Sequence, residues 1–256
     1  MDQSDTILNY LREQPLRNIT LLKMVTYFSH VMNCHYVEGP EGRGVLLLLP
    51  AEAYAYDHRT YPEAELIVFM EYSSPAVFPH LLALVPKDAK LVFKLQDEAY
   101  HAILSKHFSL TKARGYITYT TPANLPMVPA QEAVRIELLD NRLLPLWEGN
   151  HYSLEEIQEY FRSGAFSVSI YEGETPLSTC LAFHNEDQVW EIGAVYTVES
   201  ARGKGLAQKV VQTALFYLHR DERIPRYHVL ETNHPSIQLA ESLGLVPCVT
   251  LVHWTN

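Results

Sequence analysis

The chain has 256 residues, a formal net charge of −10, 47% hydrophobic residues and 20% charged ones, which fits a globular protein with a full core and one large or two ordinary domains. The acidic balance disfavours nucleic acid as a general partner and mildly favours a cationic substrate. No apolar run approaches a membrane span and the opening MDQSDTILNY has no basic start, so neither a membrane partner nor a secretory leader is expected.

In chain order, Ser4 is placed as the cap of a first helix bearing Ile7, Leu8 and Leu11. A second helix runs from about 19 to 31, with Leu22, Val25 and Phe28 on one face. Strands follow at 34–38, at 44–56 with a break at Pro50, and at 65–72. Then come a helix at 76–85, a strand at 90–95, a helix at 98–107 and a strand at 115–120. Pro122, Pro126 and Pro129 mark a linker. Beyond it the pattern gives a strand at 134–139 and helices at 142–147 and 154–161. Ser153, with Glu156 three residues later, forms a capping box for the second of these. Strands follow at 165–171, 177–184 and 189–198. A helix starting at Leu206 carries the apolar stripe Val210, Val211, Ala214, Leu215 and Leu218. A strand at 226–232, a helix at 235–243 and a strand at 246–254 end the chain. The crossover from 189–198 through the helix makes 226–232 parallel to it. The two halves share an element order, which divides the chain into 1–121, a linker at 122–131, and 132–256.

Cys34, Cys180 and Cys248 lie far apart, which argues against a disulfide scaffold and for a reducing, cytoplasmic setting. The histidines form no H-E-x-x-H and the cysteines no C-x-x-C, so no metal site is expected.

The stretch VWEIGAVYTVESARGKGLA, Val189–Ala207, carries the chemistry. It reads as a strand, a polar turn at Glu199–Arg202 and a glycine-bearing helix entry. Such an entry exposes unpaired backbone N–H groups that, with the helix dipole, suit a phosphate. Gly203 and Gly205 let the backbone approach it closely. The Walker A spacing is absent. The dinucleotide fingerprint fails because Gln208 stands where its third glycine would be. What remains is R-x-x-G-x-A, from Arg202, Gly205 and Ala207.

That motif resembles the acyl-CoA pyrophosphate loop, [RQ]-x-x-G-x-[GA], of the GNAT superfamily of N-acetyltransferases. Val195–Val198 resembles the family's fourth strand, whose main chain pairs with the pantetheine arm. Asn233-His-Pro-Ser236-x-x-Leu239-x-x-x-Leu243-Gly244-Leu245 resembles its N-x-x-[AS]-x-x-L-Y-x-x-L-G-[FL] signature. With VYT-x-E-x-x-R-G-K-G behind a plain N-terminal half, the chain looks like the glycine-N-acyltransferase-like branch. The match is good from about Ala133 onward and topological before that.

The resemblance implies an α/β (α+β) fold of two GNAT-like domains. Each is a mixed, mainly antiparallel twisted sheet with flanking helices and a central parallel strand pair. The first half would be degenerate: Ser73-Ser-Pro-Ala-Val77 stands where the loop should follow its strand, and Pro75 removes a donor. In the second half, acyl-CoA would be held by Val195, Tyr196, Thr197, Val198, Arg202, Gly203, Lys204, Gly205, Leu206, Ala207, Gln208, Asn233 and Ser236. A backbone N–H near Thr197 or Val198 would face the thioester carbonyl. Gly193 marks either a bulge that aims such amides or a tight spot beneath a neighbour.

Glu191 is the candidate base, or else an ordinary strand glutamate, with Glu231 its rival. Strand alternation puts it with Gly193 and Val195, opposite Trp190, Ile192 and Ala194. The family's tyrosine acid is here Ala240, which leaves Tyr196, His234 and water as proton donors. His151 and Tyr152 stand in the region that covers the acceptor in the family, as substrate-binding residues or as a loop histidine and a packing tyrosine. The function implied is transfer of acetyl from acetyl-CoA to the primary amine of a small molecule. A non-catalytic acyl-CoA-binding or regulatory module, and a protein lysine or N-terminal acetyltransferase, are the alternatives. The expected partner is the amine alone, without nucleic acid, membrane or metal, on a monomer or homodimer.

Overall fold

The computed structural model describes residues 3–123, 125–150 and 152–256. The chain divides into two compact units: Met1–Tyr116 with Val249–Asn256, and Ile117–Cys248. The end of the last strand thus belongs to the first unit, whereas the sequence pattern assigns it to the second half.

The first unit carries α1 (Gln3–Leu11), α2 (Ile19–Phe28), β1 (Asn33–Gly39), β2 (Gly42–Pro50), α3 (Ala55–Thr60), β3 (Leu66–Tyr72), α4 (Phe78–Leu82), β4 (Leu91–Leu95) and α5 (Glu98–Leu104). It also holds most of β5 (Thr111–Thr120) and of β11 (Val246–Thr255). β1, β2 and β3 pair antiparallel, β3 and β4 parallel, and β11 antiparallel to β4 through Val252–Thr255. The run GRGVLLLLP is apolar without alternation because both faces are covered. Val45, Leu47 and Leu49 pack with Leu21, Leu22 and Phe69, while Leu46 and Leu48 pack with Phe78, Leu81 and Leu104.

Two expectations fail locally. Ser4 lies inside α1 rather than capping it. The strand expected to reach Tyr56 stops at Pro50, and the alanine-rich AEAYAY that follows turns helical, as a 3-10 turn at Ala51–Ala53 and then α3.

Under α3 the sheet carries a buried polar cluster. Lys94 Nζ donates to Asp57 Oδ1 at 2.5 Å, and Tyr61 Oη meets His253 Nδ1 at 2.6 Å. Burial pushes Asp57 up and Lys94 down, each toward its neutral form, and their mutual attraction opposes it. Burial first, then the charges of Lys94 and Arg114, drive the His253 imidazole down to about 2. An unfolded histidine titrates at about 6.5. Between those values the unfolded chain binds a proton that the folded chain refuses. The stability is therefore complete above the unfolded value and falls as pH drops below it, by up to about 1.4 kcal/mol per pH unit. The melting temperature is expected to fall between pH 7.5 and pH 5, and to fall less in His253→Gln. Equal falls in the two proteins would remove His253 from the acid limb.

The second unit carries the end of β5, then β6 (Val134–Ile136), α6 (Leu144–Glu148), α7 (Leu154–Arg162), β7 (Phe166–Glu172), β8 (Thr175–Glu186), β9 (Val189–Thr197), α8 (Leu206–Arg220), β10 (Ile224–Leu230) and α9 (His234–Ser242). Its strands lie in the order β5-β10-β9-β8-β7-β6. β9 and β10 are parallel, and β6 to β9 pair antiparallel in sequence. The capping box at the start of α7 forms, with Ser153 Oγ accepting from the Glu156 amide and Glu156 Oε2 accepting from the Ser153 amide. One face of the sheet packs on the α8 stripe of Val210, Val211, Ala214, Leu215 and Leu218, all buried. Burying each of the valine and leucine side chains contributes roughly 1.5–3 kcal/mol. The other face packs on Leu143, Trp147 and Ile157 of the α6–α7 region. No helix among the described residues is long and apolar enough to cross a membrane.

Candidate functional site

The site grows from the parting of β9 and β10. Their ladder spans only Val189–Glu191 against Ile224–Arg226, though both strands run on. Past it lies a cleft of about 670 Å³. Its walls are the end of β9, the turn leading into α8, and the start of α9.

The β9 wall is bent by a bulge. Leu181 pairs with Gly193 and Thr179 with Tyr196, so two residues of β9, Ala194 and Val195, oppose the single Cys180 of β8. Ala194 takes the extra step at φ +51, an uncommon backbone state for a residue with a Cβ. The bulge inverts the alternation expected from the sequence. Ala194 packs with Leu181 and Phe183 on the α6–α7 face, while Val195 joins Trp190 and Ile192 on the α8 face. Gly193 stands immediately before the bulge and is also a tight spot. A Cβ there would come within 2.7 Å of the Tyr152 hydroxyl and 3.2 Å of the Phe183 ring.

The turn into α8 is a concave run of backbone. Gly203 and Gly205 have φ of +75 and +72, and no atom lies within 4 Å of the place where either would carry a Cβ. Gly205 caps α8 without a side-chain bond, so the first amides of that helix depend on a partner from outside it. Arg202 steadies the turn by donating from Nε to the Thr197 carbonyl at 3.2 Å. On the third wall, Asn233 caps α9, its Oδ1 accepting from the Ser236 amide at 3.3 Å.

Of the residues singled out in the sequence, Val195, Tyr196, Thr197, Arg202 and Gly203 line the cleft, as do Gly205–Gln208, Asn233 and Ser236. Val198 and Lys204 do not. The Val198 amide cannot face a ligand, because it donates to the Leu177 carbonyl at 2.9 Å. By alternation the Thr197 amide points to the opposite edge. Tyr152 is not a cleft residue but lies over Gly193. His151 falls outside the described residues. Among the proton-donor candidates, Tyr196 lines the cleft and His234 does not, while Ala240, which stands where the family's tyrosine would, is sealed in the core. Asn150 was missed. Its Nδ2 donates to the Val195 carbonyl at 3.0 Å at the edge of the cleft. No sequence motif marks it, since its place follows from the bulge.

Glu191 occupies the last paired position before the strands part. Its Oε2 accepts from Arg226, directly across the ladder, and from Asn185 Nδ2 at 2.9 Å. The side chains of Glu191 and Arg226 are only 17% and 7% exposed, so this carboxylate is neither solvated nor unpartnered.

The matching strand pair of the first unit is closed by side chains. β3 and β4 pair from Leu66 to Phe69 against Leu91 to Lys94. Beyond that ladder, Tyr72 packs against Tyr100 at 4.6 Å and Phe78 at 5.7 Å, and Glu71 is held by Arg17 and Tyr100. Ser74 caps a 3-10 turn at Pro75–Val77 in place of a glycine turn. No group of three or more His, Cys, Asp or Glu among the described residues could hold a metal ion.

The model of the Acetyltransferase (GNAT) family matches residues 133–245, which contain the whole cleft. The chain carries a GNAT acetyltransferase domain. Solved structures extend the likeness of fold to both units. A tandem GNAT protein from the clavulanic acid biosynthesis pathway, determined without AcCoA, is 14% identical with a TM-score of 0.57, over 100% of this chain and 95% of that one. A Drosophila protein is 13% identical with a TM-score of 0.62, over 99% and 95%. A GCN5-related N-acetyltransferase from Sphaerobacter thermophilus is 13% identical with a TM-score of 0.57, over 93% and 85%. The architecture is thus two GNAT-like domains, each a mixed α/β twisted sheet with flanking helices. No curated protein matches the chain.

Proposed function

We propose that the chain is an acyl-CoA-dependent N-acyltransferase that moves acetyl from acetyl-CoA to the primary amine of a small molecule. One observation carries this reading: an open glycine turn at a helix start shares a single cleft with a bulged, partly unpaired strand edge. The open space at Gly203 and Gly205 fits a pyrophosphate approaching the amides of Leu206, Ala207 and Gln208. The stretch Val195–Thr197, which lies past the end of the β9–β10 ladder, suits the amides of a pantetheine arm, with Asn150 and Arg202 now holding two of its carbonyls. The bound cosubstrate would supply an activated acyl group. The chain itself would bind, orient and exclude water.

Burial of Ala240 in the core, where the family's tyrosine acid would stand, favours a second reading, a non-catalytic acyl-CoA-binding module. A protein acetyltransferase would differ only in the length of its acceptor groove. The glycine-N-acyltransferase-like branch rests on the sequence of Val195–Gly205 behind a plain N-terminal half, and on no comparison. The small amine as sole partner, a monomeric or homodimeric state and a cytoplasmic setting belong to the same proposal.

Calorimetric titration with acetyl-CoA is expected to give one site per chain, because aromatic packing leaves no room at the end of β3. Thiol release should then follow with members of a panel of small amines. Two sites per chain would contradict the closed first unit. Binding without thiol release for any amine or peptide would favour the non-catalytic module, and no binding would end the reading.

A further inference from the structure

The strand β6 ends the sheet of the second unit. It pairs with β7 on one side, and no strand among the described residues pairs with it on the other. Natural edge strands are guarded by short length, lysine, proline, a bulge or a covering element. β6 is short, but Ala133–Leu139 contains neither lysine nor proline. It presents apolar side chains instead. Val134 is 51% exposed and Leu138 80%, more than any other large apolar side chain among the described residues.

Pairing sets the faces of this edge. Arg135 lies opposite Val168 on the α8 face, where its guanidinium covers the rings of Phe166 and Tyr217 and meets Asp221 at 3.0 Å. Val134 and Ile136 therefore stand on the other face. Glu137 lies 3.1 Å from Arg135, with its side chain 72% exposed. The chain then bends at Leu138. Leu139 turns in against the cluster around Trp147, and Leu138 is left outside.

We propose that this edge is a homodimer interface, to which a second copy of the chain adds its own β6 antiparallel, about a two-fold axis at Ile136. The occupant follows from self-complementarity. Opposite residues of a ladder share a face, so a two-fold axis normal to the sheet must pass between two copies of one residue. An axis at Arg135 sets two guanidinium groups opposite each other, and an axis at Glu137 sets two carboxylates so. Like charges directly opposite are destabilising. An axis at Val134 leaves Arg135 opposite Ala133, and one at Leu138 leaves Glu137 opposite Leu139. Only the axis at Ile136 sets Arg135 against Glu137 of the second copy, twice, and Val134 against Leu138, twice. The two isoleucines meet at the centre. The net charge of −10 repels copies at a distance, but Val134–Leu138 carries one positive and one negative group and adds nothing to that repulsion. A contact of this symmetry closes at two copies.

Sedimentation equilibrium at micromolar to submillimolar concentration should show a dimer. Leu138→Lys alters a side chain that the single copy already exposes, so circular dichroism should show an intact fold. It takes two leucines out of each dimer and should raise the dissociation constant by about 100-fold or more. Glu137→Arg sets cations opposite each other twice and should raise it by about tenfold or more. The register has its own readout. In a Cys248→Ser background, Ile136→Cys should give a disulfide between copies under mild oxidation, because residue 136 faces itself at a Cα separation of about 4.5–5.5 Å. Val134→Cys in that background should not, because it faces Leu138. A monomer throughout the concentration range overturns the proposal. So does a dimer whose dissociation constant is unchanged in Leu138→Lys, which would place the contact elsewhere. Cross-linking through Val134→Cys rather than Ile136→Cys would overturn the register and, with it, the argument from charge.

Discussion

Gly205→Asp is expected to weaken acetyl-CoA binding by at least about 100-fold while the fold survives. Gly205 caps α8 with φ +72, and the place of its absent Cβ is open for 4 Å. A side chain there meets no wall, so the substitution carries no steric penalty from neighbours. The left-handed backbone costs a residue with a Cβ roughly 1–2 kcal/mol, and aspartate bears it better than most. Aspartate at a helix cap also recovers part of that cost through the first-turn amides and the dipole. The same geometry makes it a poor neighbour for pyrophosphate. Two unit charges at 4 Å repel by about 1 kcal/mol in water and about 4 kcal/mol at a protein surface, and a pyrophosphate presents more than one. The new carboxylate also takes up the amides that the ligand needs. Calorimetry measures the affinity and circular dichroism the fold. Gly205→Ala is the control for bulk, and should cost far less affinity than the aspartate. Equal losses in the two would mean that backbone conformation, not charge, sets binding. Unchanged affinity in both would remove the turn from the site.

This turn was legible in the sequence because its chemistry is local. Arg202, Gly203, Gly205 and Ala207 are close in the chain, and their spacing alone sets the turn and the helix start. The strand order around it was legible for a similar reason, since a crossover helix forces β9 and β10 parallel. The faces of Ala194 and Val195 were not legible. Alternation holds only while the ladder is regular, and the single extra residue of the bulge is set by pairing with β8, which no local pattern encodes. The partners of Glu191 were hidden in the same way. Arg226 lies 35 residues on and reaches Glu191 only through the register of two parallel strands. The C-terminal strand exposes a third limit. Val246–Thr255 reads as one strand, but the unit to which each part belongs is decided by long-range pairing, with Val252–Thr255 set against β4. Likewise Ser73–Val77 announced the missing loop, whereas the aromatic closure by Tyr72, Phe78 and Tyr100 required three elements to be brought together.

Removing Glu191 should damage stability first, and this alters how its role as base must be tested. Arg226 is 7% exposed, its Nε has no partner, and Glu191 is the counter-charge across the ladder. Taking one member out of a buried pair leaves the other charge uncompensated and typically costs about 3–5 kcal/mol. In a domain of this size that corresponds to a fall of about 10 °C in melting temperature. Glu191→Gln keeps the shape but also loses the charge, so a reduced rate in that variant alone would not identify a base. Replacing both partners by apolar residues of similar volume, as in Glu191→Met with Arg226→Met, removes the imbalance and should restore most of the lost stability. The rate then decides. Loss of general-base assistance costs about 10²–10⁴-fold. If Glu191 takes the amine's proton, the double variant melts near the native temperature and remains that much slower, with the deficit shrinking as pH rises and more free amine is present. If the pair only fastens β9 to β10 at the point where they part, kcat recovers together with stability, and the proton must leave through Glu231 or solvent.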